Sequence, residues 1–281
     1  MMKLKIKKLI KEERKFSPNE IQAKLLSLND CFDMKLLISP DSKNVLKLSK
    51  NSEENLISDG INNYKKHNES PILYPKEISL SWKDGHLPLK YNYSALLQYT
   101  LLSQIKQHGE INAPLSSEAS LKHKWRFKDF CKNLNGLVLD VGCDQPSQSS
   151  QLIPENCKYI GLDPYAGKGE FRIIGLGEII PIANSSVNAV TFNTSLDHIL
   201  DYHTAIEESY RVLKKDGRII IASYCWIEKA TLLTDDVPFH HFREYEIIGA
   251  LEDYFSNIEI KRYEDPKNDS HRYGLYVSAT K

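Results

Sequence analysis

Val138-Leu139-Asp140-Val141-Gly142-Cys143-Asp144 is the stretch that decides the fold. A run of apolar residues, suited to a buried strand, ends in an acid and then a glycine. A glycine there lets backbone approach a ligand closely. The turn and helix start that follow can present N–H groups. Downstream, Tyr159-Ile160-Gly161-Leu162 ends in Asp163. That acid lies about 20 residues past the first turn, the spacing at which a carboxylate meets a ribose diol in doubly wound sheets. Each segment alone says little; their order and spacing together point to a nucleoside site at strand ends.

Working outward, short strand-like runs alternate with helices from Gly136 onward, which predicts a parallel sheet with crossover connections. The expected strands are Leu137–Val141, Tyr159–Leu162, Arg172–Ile174, Ala189–Asn193 and Arg218–Ser223. Ile258–Tyr263 and Tyr273–Ala279 flank a turn-rich stretch and read as an antiparallel hairpin. The helix Thr204–Leu213, with Ile206, Tyr210 and Leu213 at core spacing, is structural. The fold class is therefore α/β: a Rossmann-like doubly wound sheet, mostly parallel with an antiparallel C-terminal hairpin, plus a small N-terminal α+β region. Three regions follow: 1–85, a helix and small β-rich module; 86–135, a helical connector or cap; 136–281, the nucleoside-binding domain. In the first, Ser17-Pro18-Asn19-Glu20 starts a helix expected to run to about Leu28. Helices are also expected over Met1–Lys15, over Tyr93–Gln107, and after the Gly109–Pro114 loop to about Asn133.

Composition bounds the partners. The 281 residues carry 37 basic and 37 acidic side chains, a formal net charge of zero, which implies no general attraction to nucleic acid. The basic Met1–Lys15 segment has charges within its apolar run, so it is no secretory signal core, and no window suits a spanning helix, so stable membrane insertion is not expected. Five scattered cysteines without C-x-x-C spacing suggest reduced thiols, a cytoplasmic setting and no thiolate metal site.

The stretch from Gly136 to about Ser223 resembles the class I S-adenosylmethionine (SAM)-dependent methyltransferases, in their type 11 branch. That branch has V-L-D-x-G-C-G, a strand ending in an acid, E-x-L-P-F-x-x-x-S-F-D and R-V-L-K-P-G-G. The chain answers with the segments above, then Glu178-Ile179-Ile180-Pro181-Ile182, Ser186-Val187-Asn188 and Arg211-Val212-Leu213-Lys214-Lys215-Asp216-Gly217. The resemblance implies SAM as cofactor. Asp140 and Gly142 would border its methionine part, and Asp144 would meet its amine. Asp163 would accept from both ribose hydroxyls, with Leu162 and Pro164 beside adenine. Leu176, Gly177 and Glu178 would lie at the adenine edge, and Asn193, Thr194 and Ser195 would face the sulfonium. Asp140 and Asp163 are thus expected to share one pocket. The family's G-x-G-x-G is here Gly142-Cys143-Asp144-Gln145-Pro146, a variant turn in which Pro146 can open the next helix. Glu178 as a solvated charge and Asp140 as a turn cap are the plainer readings.

Leu36-Leu37-Ile38-Ser39-Pro40-Asp41-Ser42 is similar to the start of a zinc-ribbon module that accompanies such domains, with Ser39 and Ser42 at cysteine positions. Serine does not replace a zinc thiolate, so packing must hold such a unit; an unrelated cap is the alternative.

On the acceptor side, His241, His240 and His198 are the candidate bases, since a base contributes roughly 10²–10⁴ in rate when an acceptor must lose a proton. Asp197, Asp201, Asp235 and Asp236 as a magnesium site is the lesser alternative, and no metal is expected. Arg126 could pair with a cofactor carboxylate, or be a surface arginine beside a core Trp125. The implied activity is methyl transfer to a small-molecule or sugar acceptor, with surface-polysaccharide assembly suggested by analogy. The alternative is a non-catalytic binding or scaffold protein on the same fold. Homo-oligomerisation is open.

Overall fold

Near-continuous apolar runs in the second half of the chain form the buried strands of one seven-stranded sheet. The computed structural model describes residues 17–49, 57–76, 118–164, 170–227, 240–265 and 270–281. In chain order, α1 is Pro18–Lys24 and α2 is Leu28–Asp33. The two-residue strands β1 (Lys47–Leu48), β2 (Ile57–Ser58), β3 (Asn63–Tyr64), β4 (Lys66–His67) and β5 (Ser70–Pro71) follow. Then come α3 (Glu118–Cys131), β6 (Gly136–Val141), α4 (Pro146–Ser149), β7 (Cys157–Asp163), β8 (Ile173–Ile174) and β9 (Val187–Asn193). The chain closes with α5 (Tyr202–Val212), β10 (Leu213–Trp226), α6 (Glu244–Glu252), β11 (Ser256–Glu264) and β12 (Arg272–Thr280).

The main sheet has the order β11-β12-β10-β9-β6-β7-β8. Neighbours from β8 across to β10 are parallel, and β12 is antiparallel to both β10 and β11. All seven strands expected from the sequence are present, hairpin included. The chain leaves β6 toward β7 and β8, then crosses back to β9 on the other side of β6. Strand order therefore reverses at β6, and a crevice opens beyond the strand ends there.

The N-terminal region is welded to this sheet. Leu73 N–H donates to the Ile174 carbonyl at 2.7 Å, and Ile72 bridges Ile174 in parallel, so the segment after β5 extends the sheet past β8. Leu37 bridges Ile182, and Leu36, Leu37, Leu46, Ile57 and Leu73 share one apolar cluster with Ile160, Leu162, Ile173, Ile180 and Ile182. The expected first helix is shorter than predicted. Its capping box forms between Ser17 and Glu20, but the chain leaves the helix at Leu25 so that Leu26 N–H can reach the Tyr159 carbonyl, and Ser27 then caps α2. The helices expected over Met1–Lys15 and Tyr93–Gln107 and the Gly109–Pro114 loop lie outside the described residues. Among the described residues no helix is long and apolar enough to cross a membrane.

Two tight turns face each other in the small module. Ser39 Oγ accepts the N–H groups of Asp41 and Ser42, at 3.2 and 3.1 Å. In the opposite turn, between β2 and β3, Asp59 Oδ1 accepts the N–H groups of Ile61 and Asn62, at 2.8 and 2.5 Å. Ser42 Oγ donates across to Asp59, and Asn62 Nδ2 donates to it at 2.9 Å. Each turn carries a pair spaced x-x, Ser39/Ser42 and Asp59/Asn62, and the Ser42 hydroxyl to Asp59 carboxylate bond joins the two. Tyr64 completes the network, its hydroxyl 2.7 Å from Ser39 Oγ and donating to Asp41 at 2.6 Å. Burial opposes ionisation of Asp59, but the donors from Asn62, Ser42 and Ile61 outweigh it and hold its carboxyl well below the usual range.

Because Asp59 ties both turns, Asp59→Ala should cost about 1–3 kcal/mol, the penalty for stranding buried partners. Its folded pKa is depressed, so its contribution is present above the ordinary carboxylate range and lost as pH falls through and below about 4. Urea melts of wild type and variant from pH 7 to pH 3 check this: the gap between them should narrow on acidification.

Candidate functional site

Register fixes which side chains meet at the crevice. Asp140 of β6 pairs with Gly161 of β7 and Thr191 of β9. Two residues further on, the same face carries Asp163, Gly142 and Asn193 in one row at the strand ends. Asn193 pairs with Ala222 of β10, and Ala222 with Tyr276 of β12, which extends that row across the sheet.

Asp140 and Asp163 share a face, but the single pocket expected of them is corrected. Asp140 is only 3 % exposed, and its two oxygens accept from Tyr159 Oη at 2.6 Å and Thr191 Oγ1 at 2.7 Å. Cys143 and Pro146 cover the space above Gly161, where an added Cβ would lie 2.4 Å from Cys143 Sγ and 3.5 Å from Pro146 Cγ. Asp140 is therefore a buried tie between three strands, one level below the crevice. Desolvation pushes its carboxyl up to about 6, against the pull of the Tyr159 and Thr191 hydrogen bonds and with a further push from Asp163.

The variant turn keeps its shape without the family's glycines. Gly142 has φ +78°, and a Cβ there would sit 2.3 Å from that of Ser195. Its bareness thus serves the β6–β9 junction, where Ser195 Oγ also donates to the Val141 carbonyl. Asp144 takes φ +46°, a left-handed geometry that Asp tolerates better than most residues. Its side chain is exposed and its N–H donates to Asp163 Oδ2 at 2.9 Å. Gly142 N–H donates to the Leu162 carbonyl at 2.8 Å. Pro146 opens α4 as expected, and Glu170 accepts from Ser147 N–H and Oγ, at 2.9 and 2.6 Å, within its first turn.

Other expected contacts divide. Pro164 is partly exposed beside Asp163, and its carbonyl accepts from Tyr74 Oη at 2.5 Å. Tyr74 brings the N-terminal module to the end of β7 beside Asp163, which no motif announced. Leu162 faces the core against Gly175, not a ligand. Leu176 is buried at the start of a turn, and Gly177 makes room for Ile199. Glu178 is neither solvated nor at a pocket edge: it is 5 % exposed, and its Oε1 accepts from Leu200 and Asp201 N–H. Thr194 has φ +56° and donates its hydroxyl to the Asn193 carbonyl. Arg126 donates to the Glu264 carbonyl at 2.9 Å and stacks on Tyr263, while Trp125 is 52 % exposed rather than core.

The three candidate histidines converge. Burial raises the Asp197 carboxyl pKa, while His198, His240 and His241, all close by, lower it. His241 stacks on Trp226 with ring centroids 4.6 Å apart. His240 Nε2 lies 2.8 Å from the Ile199 carbonyl and 3.1 Å from that of Leu200. Two carbonyl acceptors require that nitrogen to carry a proton, so His240 latches the loop instead of offering a base there. Asp201 caps α5 through Thr204, and Asp235 and Asp236 lie outside the described residues. Among the described residues, no group of three or more His, Cys, Asp or Glu is placed to hold a metal.

Residues 139–221 match the family model described as "Methyltransferase domain". Residues 139–221 therefore carry the sequence pattern of a methyltransferase domain. Two curated relatives, the ubiquinone/menaquinone biosynthesis C-methyltransferases of Geotalea uraniireducens and Geotalea daltonii, are 22 % and 23 % identical over 139 residues. Each alignment covers 47 % of this chain and 58 % of the relative, so the chain spans a little over half the length of the curated relatives it matches. Among solved structures, the 1,6-didemethyltoxoflavin-N1-methyltransferase of Burkholderia thailandensis superposes with TM-score 0.51 at 17 % identity, covering 70 % of this chain and 92 % of that one. The match takes in more of this chain than the family model does.

The buried acid of the methyltransferase domain carries a pH signature. Asp140's folded pKa of about 6 lies above its unfolded value, so the folded state binds the proton more tightly. Its stabilising contribution is greatest below about pH 4 and declines as pH rises through 6, by about 3 kcal/mol in all. Relative to Asp140→Asn, wild type should therefore lose stability between pH 4 and pH 7, read from denaturant melts at each pH.

Proposed function

We propose that the chain transfers a methyl group from SAM to a small-molecule or sugar acceptor. The observation that carries this reading is the row of Asp163, Gly142 and Asn193 along the strand ends at the point where strand order reverses. The donor set fits the cofactor's chemistry. Asp163 is a carboxylate at the strand end where a ribose diol needs an acceptor, Pro164 and Tyr74 flank it, and exposed Asp144 offers an anion to a cationic amine. When bound, the cofactor supplies an electrophilic methyl on sulfur. The chain's own part is to align the acceptor, a positioning effect worth up to about 7–11 kcal/mol. It must also take a proton where the acceptor is an alcohol.

For that proton, His241 and His198 are the proposed bases, with buried Asp197 near both and His240 holding the loop. A sugar acceptor, and a role in surface-polysaccharide assembly, rest on analogy with similar fused chains. The proteins named above are ubiquinone/menaquinone biosynthesis C-methyltransferases and a 1,6-didemethyltoxoflavin-N1-methyltransferase, which supports a small molecule of some kind. The zero net charge disfavours nucleic acid. A second reading, a binding protein on this fold, draws on the turn itself: the N–H groups of Gly142, Cys143 and Asp144 already donate to Leu162 and Asp163.

Calorimetric titration with SAM separates the two readings. Binding that Asp163→Ala weakens at least tenfold, about 1.4 kcal/mol, supports the cofactor site; no heat at millimolar SAM favours the binding protein. With labelled SAM and cell extracts, His241→Ala should lower methyl incorporation by about 10²-fold or more while SAM affinity stays near wild type.

A further inference from the structure

His123 of α3 is the least explained polar group at the strand ends. Its ring takes a seat between Asn193 and Tyr276, the two residues in register with Ala222. Nε2 lies 2.7 Å from Asn193 Oδ1, and Nδ1 lies 2.7 Å from Tyr276 Oη. Around the ring stand Phe127, Tyr224 and Tyr276, at centroid distances of 6.5, 6.4 and 5.7 Å.

The polarity of this chain of bonds is fixed by its ends. Asn193 Oδ1 only accepts, so Nε2 must carry the proton. Nδ1 of the neutral ring then accepts from the Tyr276 hydroxyl. Desolvation lowers the ring's pKa, against the pull of Asn193, with Arg126 and Lys124 lowering it further, so the neutral form prevails at neutral pH. With Oδ1 held by His123, the Asn193 amide cannot flip, and its NH₂ is the group left for the crevice. Asn193 is partly exposed and stands in the row of Gly142 and Asp163.

We propose that His123 and Tyr276 are positioning residues that lock the Asn193 carboxamide, so that its NH₂ donates to a lone pair on the methyl acceptor. This rests on the methyl-transfer reading and adds a device that aims the acceptor. An acceptor with an oxygen or nitrogen lone pair beside the atom methylated fits a neutral donor of this kind. The donor brings no charge next to the cofactor's cation.

The test compares His123→Leu, His123→Gln and Tyr276→Phe in the full chain. Leucine fills the seat without a donor, whereas the glutamine amide can still donate to Asn193. The assays are SAM affinity by calorimetry and labelled methyl incorporation into the acceptor fraction of cell extracts, with thermal melts to confirm folding. We expect His123→Leu to cut incorporation about 10²-fold, as a mispositioned group does, with SAM affinity changed less than threefold, and His123→Gln to recover about a tenth or more of the wild-type rate. Nitrogen-15 spectra of wild type should show His123 as the neutral Nε2–H tautomer at pH 7 to 8, and Tyr276→Phe should alter its Nδ1 signal. Wild type that binds SAM and transfers methyl, with folded His123→Leu as active as wild type or folded His123→Gln no better than folded His123→Leu, overturns the proposal alone. So does an Nδ1–H tautomer. Wild type that binds no SAM overturns the methyl-transfer reading instead, and the tautomer still reports on the lock.

Discussion

A single carboxylate ties the centre of the sheet. Asp140 sits in the middle strand and receives hydroxyl donors from Tyr159 on one side and Thr191 on the other, so β7, β6 and β9 are joined below the crevice by charge-assisted bonds as well as by their ladders. Holding an anion in that apolar layer opposes folding, and its partners offset the cost only in part, as its raised pKa records. The gain is alignment. With three strands held at one level, the next residues along them, Asp163, Gly142 and Asn193, end side by side at the place where strand order reverses.

Around that tie, each loop is fastened by a group from elsewhere. Glu178 fixes the approach to α5 and Glu170 the start of α4. Arg211 donates to the carbonyls of Ile180 and Ile182, while its neighbour Glu208 accepts from Ile180 N–H. The two family-like segments around Pro181 and Arg211 are thus halves of one structural clamp. That explains why they occur together and why neither touches the crevice.

This also marks what the sequence could disclose. Strand positions, the hairpin, the capping box at Ser17 and the first position of α4 follow from patterns within a few residues, and the expectations for them agree with the structure. Asp163 at a strand end was legible from spacing. Less legible were functions set by distant partners. Glu178 and Leu162 looked like pocket residues because motif position says nothing of side-chain direction. Asp59 and Asn62 gave no sign of facing Ser39 and Ser42, because the two turns meet only once β1, β2 and β3 pair. His123 lies 70 residues from Asn193 and 153 from Tyr276, in a helix whose Lys-rich and aromatic sequence suggested only a cover.

The strand-like segment at Ile72 and Leu73 has a consequence for how the chain can be divided. It closes the outer margin of β8, and Tyr74 just beyond it donates to the Pro164 carbonyl beside Asp163. A fragment trimmed to begin near Gly136 would bare an unpaired strand rim and the greasy flank formed by Ile173, Ile180 and Ile182, the two features that make sheets stick to one another. The leading portion is therefore a cover for the sheet's flank, and any shortened form would need another.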